Sequence, residues 1–193
     1  MIIGITGNSG TGKTEISKIL AKKINAKIID ADKVVKKISE PKNEYYKKIV
    51  ELFGKEVLKQ DGSLNRKKIA DIIYNNSSVR EKLDNLTYIY VVKEIKNTID
   101  QSTNDNIIID APLLFESGLN KCCTYTIAVI ADNRKKIERI IKRDNIDEKI
   151  AINRLNIQKD DEYYKQRADY IIINNKKIEE INVEEICTKI GKN

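Results

Sequence analysis

The sequence predicts an α/β protein, a parallel sheet of βαβ units covered by helices. Short runs rich in Ile and Val are apolar on both faces, as strands buried between two layers of helix must be. Stretches with helical spacing alternate with them. A glycine-containing turn joins the first run directly to the first helix.

Residues 1–6 are an apolar run that stops at Gly7 and reads as the first strand. Over residues 13–24, Ile16, Ile19, Leu20 and Ile24 follow helical spacing. Residues 27–29 form a second strand, ending in Asp30-Ala31-Asp32. Residues 106–110, 125–131 and 170–173 complete five strands. About seventy residues separate the second strand from the third, where a crossover needs only about a dozen. That interval reads as helices. Ser78-Val79-Arg80-Glu81 has the form of a capping box, and Leu83, Leu86, Tyr90, Val92, Ile95 and Ile99 continue an amphipathic period after it. Asp61-Gly62-Ser63 marks a turn. The expected organisation is a core of residues 1–32 and 103–193, with a helical sub-domain of residues 33–102 inserted into it.

With 193 residues, 40% hydrophobic and 34% charged, the chain can bury a core and is no disordered segment. Its longest apolar runs, Ile107-Ile108-Ile109 and Ile171-Ile172-Ile173, are far too short to span a bilayer. The start, Met1-Ile2-Ile3-Gly4, shows no basic export signal, so a cytoplasmic enzyme without a membrane partner is expected. A net charge of +7 fits a phosphate-bearing partner and good solubility alike. Cys122, Cys123 and Cys187 form no CxxC pair and read as core packing in a reducing compartment. There is no histidine. Any general base must therefore be a carboxylate, lysine or tyrosine.

The turn after the first strand, Gly7-Asn8-Ser9-Gly10-Thr11-Gly12-Lys13-Thr14, matches G-x-x-x-x-G-K-[ST] in full, with a strand before it and a helix after it. Such a loop aims successive backbone N–H groups at phosphate oxygens, and the following helix adds its positive end. Lys13 is placed to neutralise the β- and γ-phosphates of ATP or a close relative, and Thr14 to ligate Mg²⁺. The guanine-reading N-K-x-D and the D-x-x-G switch of GTPases are both absent. Phosphoryl transfer to a small acceptor is the class that remains.

Asp30 and Asp32 follow the second strand, at the edge of the sheet where ligands gather. Asp32 is the better candidate to accept a proton from an attacking hydroxyl. Asp30 can cap the next helix or support Mg²⁺. Arg139 and Arg143, four apart on a predicted helix, share one face, with Ile137, Ile140 and Ile141 opposite. Together with Lys135, Lys136 and Lys142 they read either as a lid over the γ-phosphate or as a solvated basic face.

In this order and spacing, the phosphate loop, Asp30-Ala31-Asp32, Phe53-Gly54, Asp61-Gly62-Ser63-Leu64-Asn65-Arg66, Pro112-Leu113-Leu114-Phe115-Glu116, Arg139-x-x-x-Arg143-Asp144, Arg154 with Gln158, and Ala168-Asp169 leading to Asn174-Asn175 resemble the dephospho-CoA kinases over nearly the whole chain. The resemblance implies a P-loop kinase fold with a five-stranded parallel sheet, a helical acceptor sub-domain and a helical lid at about residues 134–158. It implies transfer of the γ-phosphoryl group of ATP, with Mg²⁺, to the ribose 3′-hydroxyl of dephospho-CoA. On it, Asp32 is the base, Lys13 and Thr14 hold phosphate and Mg²⁺, and Arg139 and Arg143 belong to the lid. Asn174 and Asn175 hold adenine, and Arg66, Tyr88, Pro112, Leu113 and Glu116 lie with Asp32 on the acceptor side. A monomer or weak homo-oligomer with no nucleic-acid partner is expected. The family's His-Pro pair is replaced here by Tyr88-Ile89. Two other readings stay open, a kinase of another nucleoside or nucleotide and a nucleotide-dependent RNA-binding module, although no RNP1-type motif supports the second.

Overall fold

Five short strands, β1 (Ile2–Thr6), β2 (Lys27–Asp30), β3 (Ile107–Asp110), β4 (Tyr125–Ile130) and β5 (Tyr170–Ile173), pair side by side in the computed structural model, which describes residues 1–74, 76–176 and 183–190. The order is β2-β3-β1-β4-β5, and all four pairings are parallel. The expected parallel five-stranded sheet is thus the one observed. Its register explains the sequence pattern: Ile3 lies opposite Ile108, Ile5 opposite Ile127 and Val129 opposite Ile172. These six side chains are buried in one cluster with Ile16 and Leu20 of α1 (Lys13–Lys23). Ile186 and Ile190 of a C-terminal helix (Glu184–Ile190) complete it. Full burial of such a side chain stabilises by about 1.5–3 kcal/mol, so this face anchors the sheet. Leu114, in the segment after β3, occupies the space left by the missing side chain of Gly4.

The chain divides into two compact units, one of Met1–Asp30 with Thr103–Asn193 and one of Ala31–Ser102. The second unit is helical: α2 (Ala31–Ile38), α3 (Glu44–Phe53), α4 (Arg66–Tyr74) and the long α5 (Ser77–Asp100). α2, α3 and α4 each pack on α5. Ile38, Tyr45, Ile49, Phe53, Ile69, Val91 and Ile95 are buried in this unit. Tyr45 also shares a 2.8 Å hydrogen bond with the hydroxyl of Thr87. In the first unit, α6 (Asn133–Asp144), α7 (Glu148–Asn156) and α8 (Asp161–Lys165) lie between β4 and β5 in the chain, and Glu184–Ile190 is α9.

Some element ends differ from the sequence reading. α5 is capped by Asn76, whose side-chain oxygen accepts from the N–H of Val79 at 3.1 Å. Asn is as good a cap as Ser, and once it takes that N–H, Ser78 and Glu81 fall inside the first turn. β2 runs on to Asp30, and α2 begins at the next residue. β3 starts one residue late, at Ile107, and the Asn106 side chain donates instead to the carbonyl of Ile24 at 2.7 Å.

Candidate active site

β1 is the middle strand, and its carboxyl end feeds the phosphate loop between the ends of β3 and β4. The loop can close only with glycine at three points, Gly7, Gly10 and Gly12. Gly7 has φ +146°, and a Cβ there would lie 2.2 Å from the Val129 carbonyl oxygen. Gly12, the left-handed N-cap of α1 with φ +82°, leaves no room beside the Asn174 amide nitrogen, 2.3 Å from a would-be Cβ. Between them the loop holds itself: the Thr11 hydroxyl donates to the carbonyl of Asn8 at 2.8 Å. Asn8 is fixed at both ends of its amide, accepting from the Tyr164 hydroxyl at 2.8 Å and donating to the carbonyl of Lys159 at 2.7 Å. The backbone N–H of Ser9 donates to the side-chain oxygen of Gln158 at 3.0 Å.

Lys13, at the start of α1, is ion-paired with Asp110, the last residue of β3. Asp110 is 3% exposed and stands in register with Asp30 at the end of β2. Two carboxylates therefore sit at adjacent strand ends. The hydroxyl of exposed Thr14 makes no hydrogen bond to any described residue. Thr14, Asp30 and Asp110 suit Mg²⁺, a hard cation bound through one or two oxygen ligands, water and substrate phosphates. No cluster of three or more His, Cys, Asp or Glu that could cage a metal occurs among the described residues.

The arginines of α6 reach the same loop. Arg139 donates to the carbonyls of Gly10 (3.2 Å) and Thr11 (3.4 Å), and to the backbone and side-chain oxygens of Asn174 (3.1 and 3.3 Å). Asn174 returns a 2.7 Å bond to the carbonyl of Thr11. Loop, α6 and the end of β5 are thus knotted together. Arg143 is more exposed. It donates to the Ser9 hydroxyl at 3.1 Å and pairs with Asp144, which also pairs with Arg154. The hydrogen bond from Arg143, backed by Arg154, holds the Asp144 carboxyl down at about 2. Asn175 accepts from the N–H of Asp132 at 2.8 Å and from Lys135.

Pro112, Leu113 and Glu116 follow β3. The Thr6 hydroxyl donates to the Pro112 carbonyl at 3.0 Å, and the Leu113 side chain is exposed. One carboxylate oxygen of Glu116 is buried without a hydrogen-bond partner among the described residues. Burial and then the charge of Glu116 raise the pKa values of the neighbouring Tyr163 and Tyr164 hydroxyls. In the second unit, exposed Asp32 lies in the first turn of α2, exposed Arg66 opens α4, and half-buried Tyr88 sits on α5 beside exposed Ile89.

The structure brings Lys13, Arg139, Arg143 and Asn174 onto the phosphate loop. It also adds residues that sequence reading passes over. Asp110 reads only as the end of an apolar strand, and its partner Lys13 is 97 residues away. Lys136 reads as part of the basic surface, yet it is 3% exposed and donates to Asp161 at 3.1 Å. Its spacing from Ile140 was the available signal, since residues four apart share a helix face.

The chain is similar to known proteins over nearly its whole length. A profile of the CoaE family, dephospho-CoA kinase, matches residues 1–180. A dephospho-CoA kinase of Fusobacterium nucleatum is 38% identical over 192 residues, 98% of each chain. One from Oceanobacillus iheyensis is 32% identical over 187 residues, 95% of this chain and 94% of its own. Among solved structures, a dephospho-CoA kinase from Campylobacter jejuni superposes with a TM-score of 0.66 at 26% identity, covering 99% of this chain and 95% of its own. The fold is also that of TT1252 from Thermus thermophilus, with a TM-score of 0.83 at 22% identity, covering 98% of this chain and 97% of the other. Profile and relatives alike span the phosphate loop, the residues from Asp30 to Asp32 and the Arg139–Arg143 helix, and on them the chain belongs to the dephospho-CoA kinase family.

Proposed function

We propose that this chain's reaction, phosphoryl transfer from ATP to dephospho-CoA, is carried out by Lys13, Thr14, Arg139 and Arg143 on the phosphate side and by Asp32 as general base. The observation that carries the reading is the complete phosphate loop, with Lys13 held in place at its mouth by Asp110. Backbone N–H groups of residues 7–14 and the start of α1 receive the phosphates. Lys13 exchanges Asp110 for the β- and γ-phosphates, and Arg143, one hydrogen bond from Ser9, adds charge where it develops in the transition state. Arg139 acts mainly by fixing the loop. Thr14, with Asp30 and Asp110, would hold Mg²⁺, which supplies charge neutralisation between the phosphates. Asp32 takes the proton of the ribose 3′-hydroxyl, the role that histidine cannot fill here.

Residues 33–102 are the acceptor sub-domain in this reading, with Arg66 and Tyr88 on the substrate side, and Pro112, Leu113 and Glu116 are assigned to acceptor binding as well. Residues 134–158 are the lid, and Asn174 and Asn175 flank the adenine. No helix among the described residues is long and apolar enough to cross a membrane; in this reading the protein is a cytoplasmic enzyme, a monomer or weak homo-oligomer. An ADP-release assay against dephospho-CoA, AMP, GMP, UMP and uridine tests the reading. Turnover should be confined to dephospho-CoA. Turnover with AMP or uridine and none with dephospho-CoA would overturn it.

A further inference from the structure

Tyr164 lies on α8 and is 3% exposed, too deeply covered to touch a ligand in the phosphate loop. Its hydroxyl nevertheless reaches that loop, donating to the side-chain oxygen of Asn8 at 2.8 Å across 156 residues of sequence. A buried hydroxyl costs stability unless it is hydrogen-bonded, and a phenylalanine would fill the same space without that cost. The direction of the bond is fixed. The Asn8 amide nitrogen donates to the carbonyl of Lys159 at 2.7 Å, so the amide oxygen faces Tyr164. Burial, and then the charge of Glu116, raises the Tyr164 pKa, so the hydroxyl stays a donor at neutral pH.

Asn8 passes this constraint to the backbone of the loop. Its carbonyl accepts from both the N–H (3.3 Å) and the hydroxyl (2.8 Å) of Thr11. Residues 8–11 thus form a turn closed on Asn8, and that turn sets how the chain enters α1, whose first N–H groups meet phosphate. The support behind Tyr164 is itself anchored. α8 packs on β4, and Asp160 caps it by accepting from the N–H of Tyr163 at 2.8 Å. Buried Lys136 of α6 holds Asp161 in its first turn. The Tyr163 ring stands edge-on to that of Tyr164, with centroids 5.3 Å apart.

We propose that Tyr164 is a positioning residue for the phosphate donor: its hydroxyl, acting through Asn8, holds the phosphate loop in the shape that receives ATP. The inference rests on the reading of residues 7–14 as the ATP site. A turn held in advance need not be ordered when the ligand arrives, so less of the binding energy is lost to ordering. Asn8 is only 9% exposed, so removal of the hydroxyl leaves its amide oxygen covered and unpaired. The amide then turns toward another donor, and the turn of residues 8–11 loosens. A role confined to packing predicts otherwise. The ring fills the space behind the loop with or without its hydroxyl, so Tyr164→Phe would then alter the melting temperature at most.

The test uses the full-length enzyme and the variants Tyr164→Phe, Asn8→Ala and the two combined. Tyr164→Phe should raise the Kd and the KM for ATP roughly 5- to 50-fold, as an unpaired buried acceptor does. kcat and the KM for dephospho-CoA should stay within about twofold, the pattern of lost uniform binding. Calorimetric titration with inorganic tripolyphosphate should show the same loss, since that probe meets the loop without adenine. Asn8→Ala tests the link from its other end and should weaken ATP binding at least as much. Adding Tyr164→Phe to Asn8→Ala should then cost nothing further, because the hydroxyl no longer has an acceptor. If the wild-type enzyme binds ATP and either single variant binds it unchanged, the assignment falls and the functional reading stands. Additive losses in the double variant, or a loss for ATP that spares tripolyphosphate, also remove the assignment. If the wild-type enzyme does not bind ATP, both fall together.

Discussion

Lys13 and Asp110 set the chemistry at the scale of single residues. The pair is nearly sealed from solvent, with side-chain exposures of 12% and 4%. An ammonium held so close to its counter-charge is already oriented when phosphate arrives, so little reorganisation remains to be done. Lys13→Ala should lower turnover at least about a hundredfold, since preorganised charge of this kind contributes about 3 kcal/mol to transition-state stabilisation. Single-turnover measurement on the folded variant checks this, and a rate near wild type contradicts it. Asp32→Asn keeps size and shape but cannot accept a proton. It should cost roughly two to four orders of magnitude in turnover with ATP affinity little changed. An active Asp32→Asn beside a dead Asp30→Asn would move the role to Asp30. Residues of this kind were legible in the sequence because a phosphate loop is a local device, written in consecutive residues. Asp110 was not, because its significance comes from a partner 97 residues away in the chain.

Among elements, α6 carries two arginines that look alike in sequence and differ in structure. Arg139 is half-buried and satisfies four acceptors of the phosphate loop and Asn174. Arg143 is exposed and touches the loop only through the Ser9 hydroxyl. Helical spacing places both on one face but says nothing of how far that face is covered, which depends on the loop and on β5. Arg139→Ala should therefore lower both the melting temperature and ATP affinity. Arg143→Ala should slow transfer and leave the melting temperature within about a degree, because exposed ion pairs contribute little to folding. Equal melting losses in the two would refute the distinction. The junction of α6 and α7 also has a pH signature. Asp144 is held at about 2 in the folded chain against its ordinary 3.8. A lowered carboxyl pKa contributes stability that is fully present above the ordinary value and is lost as pH falls through the folded one. The difference in unfolding free energy between wild type and Asp144→Asn should thus be constant above about pH 5 and shrink between about pH 4 and 2. A difference that persists unchanged at pH 2 would exclude Asp144 as its source.

For the molecule as a whole, the sequence disclosed the class of fold and the seventy-residue interruption, but not the strand order. Strand order is set by pairings such as Ile3 with Ile108, whose only trace in sequence is that both are apolar. The interruption has a functional consequence. The phosphate loop belongs to one compact unit, and Arg66, on the proposed acceptor side, belongs to the other. Each ligand should therefore stabilise the protein through its own residues. A ligand that binds only the folded form, at about a hundred times its dissociation constant, adds about 2.7 kcal/mol to the free energy of unfolding. For a chain of this length that is a rise in melting temperature of roughly 5–11 °C. ATP with Mg²⁺ should give such a rise in wild type and in Arg66→Ala, and little in Lys13→Ala. Chelation of Mg²⁺ should reduce it. Dephospho-CoA should give the converse, protecting Lys13→Ala as well as wild type and protecting Arg66→Ala weakly. The pattern is diagonal because each variant removes charge from one unit only, and neither lies in the core that holds its unit together. If Lys13→Ala lost protection by dephospho-CoA while Arg66→Ala lost protection by ATP, the two sites would have been assigned to the wrong units.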